Sequence, residues 1–158
     1  MKRWIGWALL GATGVAHAGT YTVGDITVGA RLNVFTWAMA HGKVACPKQD
    51  PALPAQCELV DGKAELFDVP ARVSFSTVSE SDRTVTSLVF IADGKDYETL
   101  EARIDRDFGK PWLYRSVDRA NGKPPYCTRW FDKSRGVAAS ICRVENDTRT
   151  LVEFSTAK

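Results

Sequence analysis

Four cysteines and one histidine carry most of the potential for nucleophilic, redox or metal chemistry in residues 19–158. The cysteines are Cys46, Cys57, Cys127 and Cys142, an even number that reads as disulfides if the chain is delivered to an oxidising compartment. Four cysteines allow three connectivities, and strand register favours one of them. Residues 126–132 and 137–143 form a hairpin pattern across Lys133-Ser134-Arg135-Gly136. Setting Asp132 opposite Val137 makes each opposed pair of residue numbers sum to 269, and Cys127 with Cys142 satisfies that sum. The two sulfurs then face each other across neighbouring strands. The other pair, Cys46 and Cys57, brackets a proline-rich segment unsuited to a helix or a central strand, so a bridge there closes a loop. A four-cysteine zinc site is the competing arrangement. Neither pair has the short C-x₂₋₄-C spacing, and exported thiols tend to oxidise.

His41, the only histidine outside residues 1–18, has no second histidine there to share a metal and no H-E-x-x-H helix around it. Near a helix C-terminus its natural role is that of a cation or hydrogen-bond donor favoured by the helix dipole. Glu101, Asp105 and Asp107 could suggest an oxygen-rich metal site. Residues two apart on a helix point away from each other, however, and Arg103 and Arg106 are interleaved, so a solvated face is expected. Phosphate loops and dinucleotide motifs are absent, and no cofactor is expected. Dispersed carboxylates of the kind that hydrolyse glycosides leave no local signature, so a small envelope hydrolase stands as an alternative function.

Charge is unevenly placed. Residues 44–109 hold 13 acids against 7 Lys/Arg, whereas residues 110–143 hold 8 Lys/Arg against Asp118 and Asp132 alone. The same basic segment carries Trp112, Tyr114, Tyr126, Trp130 and Phe131, and arginine among aromatics is the composition of interfaces. Trp112, Tyr114, Arg115, Arg129 and Trp130 are therefore the candidate binding residues. In the hairpin, Thr128 and Trp130 share one face with Ala139, Ile141 and Arg143; Arg129 and Phe131 share the other with Ala138 and Ser140. Both faces mix apolar and basic groups, so alternation alone does not say which is buried.

Lys2 and Arg3 precede twelve uncharged residues, 4–15, and then Ala16-His17-Ala18, the pattern of a secretory signal cut after Ala18. The stretch falls short of the roughly 20 apolar residues that span a bilayer, and no later window supplies them. Of 21 Lys+Arg and 19 Asp+Glu, the two excess positives lie in that leader. The remaining chain is neutral, which argues against nucleic acid as partner and leaves an envelope protein or an anionic envelope polymer. At 44% hydrophobic and 25% charged residues, the composition is that of a folded globular protein.

Positioning elements follow from periodicity. An extended start over 21–28 precedes Leu32, Phe35 and Met39 on one stripe, with Val34, Trp37 and Ala38 beside it. A helix over 30–41 is predicted, stopped by Gly42 and deeply buried by its wide apolar face. A second helix starts from Asp96 as N-cap, with Glu98 in its first turn. It carries Tyr97, Leu100, Ile104 and Phe108 on one face and ends at Gly109 and Pro111. Asp61-Gly62 predicts a tight hairpin between 58–60 and 63–67, and Asp68-Val69-Pro70 then turns into a strand over 71–77. Residues 84–91 suit a central strand, 112–117 another, 118–125 a loop and 150–154 the last strand. The order is helix, meander, helix, meander: one α+β domain over 19–158 made of two units, about 19–92 and 93–158.

This succession, with Tyr97-x-x-Leu100-x-x-x-Ile104-x-x-x-Phe108-Gly109-Lys110-Pro111 before a Trp-containing strand, resembles the tandem helix-plus-meander architecture of the β-lactamase inhibitor protein. It also resembles small bacterial envelope assembly lipoproteins that contain one such unit. The resemblance implies two repeats of one fold and transfers no functional residue. Taken with the missing catalytic motifs, the expectation is an exported, non-catalytic binding or inhibitory module. The alternatives are the hydrolase above and a structural or stress-related envelope protein.

Overall fold

The computed structural model describes residues 20–47, 54–62, 64–114, 127–144 and 148–157; the predicted leader, residues 1–18, lies outside them. The chain opens with a short hairpin, β1 (Tyr21–Val23) and β2 (Ile26–Val28). After it come α1 (Val34–His41), β3 (Gly42–Ala45), β4 (Gln56–Gly62), β5 (Ala64–Leu66), β6 (Val69–Thr77) and β7 (Val85–Asp93). A 3₁₀ turn (Gly94–Asp96) leads into α2 (Tyr97–Phe108), then β8 (Leu113–Tyr114), β9 (Cys127–Asp132), β10 (Val137–Val144) and β11 (Arg149–Thr156). The fold is α+β. No helix among the described residues is long and apolar enough to cross a membrane.

Strands β3 to β11 form one nine-stranded antiparallel sheet in the order β3-β4-β6-β7-β11-β10-β9-β8, with β5 attached to β6. Each helix is thus followed by a meander, and the two meanders join where β7 pairs with β11. Alternation buries one face of the sheet. Val73, Phe75, Leu88, Phe90, Val137, Ile141, Val152 and Phe154 point into the core, while Ser74, Val89, Ser140 and Glu153 point outward. Phe154 sits at the centre, with Tyr21, Phe67, Phe90 and Phe108 around it at 5.2 to 6.5 Å between ring centroids.

Helix α2 matches its predicted stripe: Leu100 and Ile104 are fully buried and Tyr97 nearly so. Its entry differs in detail. Asp93 caps the 3₁₀ turn by accepting from the Lys95 amide, and the Asp96 side chain makes no capping bond. Helix α1 starts later than predicted, at Val34, where Asn33 accepts from the Thr36 amide. Residues 29–32 are claimed instead by the start of β7: the Gly29 amide donates to Val85 O, and the Leu32 amide to Arg83 O. Nor is α1 deeply buried. Among its described side chains only Trp37 is enclosed, and Met39 is 75% exposed.

The expected Asp61-Gly62 hairpin does not form. Those residues continue β4, opposite Lys43 and Gly42 of β3. The reversal falls at Phe67-Asp68, both with positive φ (52° and 69°), so that Leu66 pairs with Val69. This is the geometry of a two-residue primed turn. Pro70 lies just beyond the β6–β7 ladder, which begins at Ala71, so its missing N–H breaks no ladder bond there.

Both expected disulfides are present, Cys46–Cys57 and Cys127–Cys142, and no cysteine is free. The β9–β10 register runs from Val137 opposite Asp132 to Cys142 opposite Cys127, as the numerical rule required. The zinc alternative is thereby overturned.

Candidate functional site

The acids of α2 meet the polar groups on the buried face of the β9–β10 hairpin. Trp130 Nε1 donates to Asp105 Oδ1 at 2.8 Å, and Thr128 Oγ1 donates to Glu101 Oε1 at 2.8 Å, with the Tyr97 hydroxyl also donating to that oxygen. Asp107 accepts from the Tyr21 hydroxyl at 2.9 Å. Burial, together with the carboxylate of Asp107, pushes the Tyr21 phenol far above its usual range. Glu101, Asp105 and Asp107 were expected to form a solvated face. Asp105 is exposed and Glu101 and Asp107 are half-buried, yet each also accepts from a buried hydroxyl or indole donor, Glu101 and Asp105 from β9 and Asp107 from β1.

Part of the charge asymmetry is spent in the same interface. Arg143 pairs with Glu98 and stacks 4.2 Å above the Tyr97 ring. Arg135 is held by Asp132 at 2.5 Å, donates to the Asp107 carbonyl, and lies against Tyr21 and Phe108. Asp132 is in turn drawn well below the usual carboxylate range by the Ser134 hydroxyl and by the side chain and amide of Arg135.

The opposite face of the hairpin remains open. There Trp112 is 75% and Phe131 42% exposed, and with Arg129, which is also exposed, they border a hollow of about 490 Å³. Ala138, Ser140 and Ser155 form its floor, and Glu153 lies on the far wall, accepting from Ser87 Oγ. The small floor residues follow from register. Ser76, Ser87, Ser155, Ala138 and Phe131 are successive neighbours across five strands, as are Ser74, Val89, Glu153, Ser140 and Arg129. Trp112 is fixed beside them by its backbone amide, which donates to Arg129 O at 2.9 Å. Among the described residues, no acid pairs with Arg129.

Of the five predicted binding residues, the hollow brings together Trp112 and Arg129. Trp130 is a correction: it is 1% exposed and belongs to the core beneath α2. Tyr114 has its backbone in β8 opposite Thr128, and Arg115 lies outside the described residues. Phe131 completes the exposed aromatic pair; its place two residues from Arg129 in a strand was the signal for it. No family model, no curated protein and no solved structure matches this chain.

A second constellation had no local sequence signal. His41, the last residue of α1, places Nε2 2.6 Å from Asp25 Oδ2, and Trp37 Nε1 donates to Asp25 Oδ1 at 3.0 Å. The Trp37 and His41 rings stack at 4.9 Å. Burial works to raise the Asp25 carboxyl, but the two hydrogen bonds and the His41 charge outweigh it and hold the group below its ordinary value. Among the described residues, no set of three or more His, Cys, Asp or Glu side chains is placed to hold a metal ion.

Proposed function

We propose that this chain is an exported, periplasmic binding or inhibitory module without catalytic action, and that its binding surface is the open sheet face around Trp112, Arg129 and Phe131. The supporting observation is one juxtaposition. Two exposed aromatic side chains and a guanidinium with no acid partner among the described residues border a hollow floored by alanine and serine, on the sheet face opposite the helices. Leaving Trp112 three-quarters exposed gives up a burial worth roughly 2–3 kcal/mol, and a partner that covers it recovers that term. Trp and Arg are the residue types that dominate interface energetics. The complementary partner is a protein segment with an apolar side chain for the hollow and a carboxylate for Arg129.

Export is supported by the leader pattern and by two disulfides, which persist in oxidising compartments. We take the two helix-then-meander halves as copies of one unit, as in the β-lactamase inhibitor architecture that the element order resembles. The mirrored strand order about β7 and β11 supports that reading.

The test is capture of envelope proteins by purified protein and by a Trp112→Ala/Arg129→Ala variant. The variant is expected to keep its thermal transition, because neither side chain is in the core, and to lose most of the capture. Equal capture by both proteins would refute the proposal.

A further inference from the structure

Around the hollow on the open face of the sheet, strand register sets the side chains in two rows. Arg129, Ser140 and Glu153 are successive neighbours across β9, β10 and β11, and Phe131 and Ala138 are neighbours in the next row. The rows lie two residues apart along the strands, about 7 Å, and Arg129 and Glu153 are two strand spacings apart, about 10 Å. A cation, an acid and an aromatic wall thus surround one spot above Ser140 and Ala138, which are small and half-buried.

Each of these groups has capacity left for a ligand. Arg129 is exposed and has no acid partner among the described residues. Glu153 accepts from Ser87 Oγ through Oε1, and its Oε2 has no partner among the described residues. Ser140 Oγ makes no hydrogen bond among the described residues either, so beside Arg129 it is a second donor for an anion. Phe131, 42% exposed, and Trp112, 75% exposed, leave apolar surface at the border to be covered.

A peptide C-terminus offers the matching set from a single carbon atom, because an α-carboxylate, a backbone N–H and a side chain all leave the vicinity of the last Cα. An internal Asp or Glu spends its side chain on the carboxylate and has to take the apolar group from another residue. Glu153 fixes the polarity: it repels a carboxylate toward Arg129 and Ser140 and attracts an N–H donor. We infer that the partner of this face presents a free C-terminus with an aliphatic last residue. Its carboxylate meets Arg129 and Ser140, its N–H points toward Glu153, and its side chain lies over Ala138 against Phe131. Terminal carboxylates are a recurrent element of peptide recognition. The inference rests on the sheet-face reading and narrows its partner from a protein segment to a chain end.

The test uses four probes: acetyl-Gly-Ser-Gly-Leu with a free C-terminus, the same peptide as its C-terminal amide, acetyl-Gly-Asp-Ser-Leu-Gly amide with its acid internal, and free leucine. Binding is followed by the backbone amide signal of Ser140, with the indole N–H of Trp37 on the other face as control. The free-acid peptide is expected to shift the Ser140 signal saturably and to bind about tenfold or more tightly than each of the other three. In Arg129→Gln, an exposed position, its preference over the amidated peptide is expected to fall below about threefold. No saturable Ser140 shift, a shift of Trp37 alone, the internal-acid peptide or free leucine binding as tightly as the free-acid peptide, or an unchanged preference in Arg129→Gln would each overturn the inference. The sheet-face reading itself falls on a different result, equal capture by the parent and the Trp112→Ala/Arg129→Ala variant, so the two failures are distinguishable.

Discussion

Trp130 and Asp105 are joined at 2.8 Å across the boundary between the β9–β10 hairpin and α2. Trp130 lies inside and, by strand alternation, its neighbours Arg129 and Phe131 lie outside. The aromatic content of residues 110–143 is thereby divided between a structural anchor and a surface.

That division predicts opposite outcomes for two tryptophans. Trp130→Phe removes the indole bond and leaves a void, and is expected to lower unfolding free energy by about 2 kcal/mol. Trp112→Ala is expected to change it by no more than about 0.5 kcal/mol, as for surface substitutions elsewhere. Urea denaturation of both variants measures the contrast.

The disulfides act on the unfolded chain. Cys127 and Cys142 are 15 residues apart, Cys46 and Cys57 are 11. Loop-closure entropy predicts a loss of about 3 kcal/mol for replacing either pair with alanine. Thermal unfolding of Cys127→Ala/Cys142→Ala should report it, with the β9–β10 amides losing exchange protection before those of β6 and β7.

Acid should weaken the fold through Asp132 and Asp25. Both carboxyls titrate lower in the folded protein than in an unfolded chain, so each contributes stability that is fully present above the unfolded value of about 4. That contribution is lost as pH falls through the folded value. Asp132→Asn is therefore expected to lower the melting temperature at pH 6, and the gap from the parent protein should narrow below pH 3. A gap that widens in acid would contradict the assignment.

The turn at Phe67-Asp68 holds two non-glycine residues at positive φ. Asp68 is exposed, so glycine there relieves backbone strain without removing packing. Asp68→Gly is expected to raise stability by about 0.5–1 kcal/mol in the same denaturation assay.

Much of this architecture is legible from local pattern. The stripe Tyr97, Leu100, Ile104 and Phe108 defines α2, the alternation in 71–77 defines β6, and two cysteines pin the β9–β10 register. What escapes is decided by contacts between residues far apart in sequence. Asp61-Gly62 carries a strong turn signal, yet β3 pairs along it and keeps it extended. Phe67 takes the turn because its ring packs against Phe154 and beneath Arg103, and no local preference would place a phenylalanine at positive φ. Start and depth of α1 depend on hydrogen bonds to Arg83 and Val85, some fifty residues away. Of the candidate site, Trp112 and Arg129 were legible as members of a basic, aromatic segment, but their exposure was not. Trp130 was misplaced because its partner, Asp105, belongs to a helix whose acids look merely solvated in sequence. The Asp25–His41 pair spans a hairpin and a helix, and neither residue announces the other.

The most direct measurement of the binding proposal is site-specific photocrosslinking in cells of the source organism, with p-benzoylphenylalanine in place of Trp112 or, as a control, of the equally exposed Met39. A discrete protein adduct at position 112, absent at position 39 and abolished by adding Arg129→Glu, is the result predicted. No adduct at position 112, the same adducts at both positions, or an adduct indifferent to Arg129→Glu would contradict it.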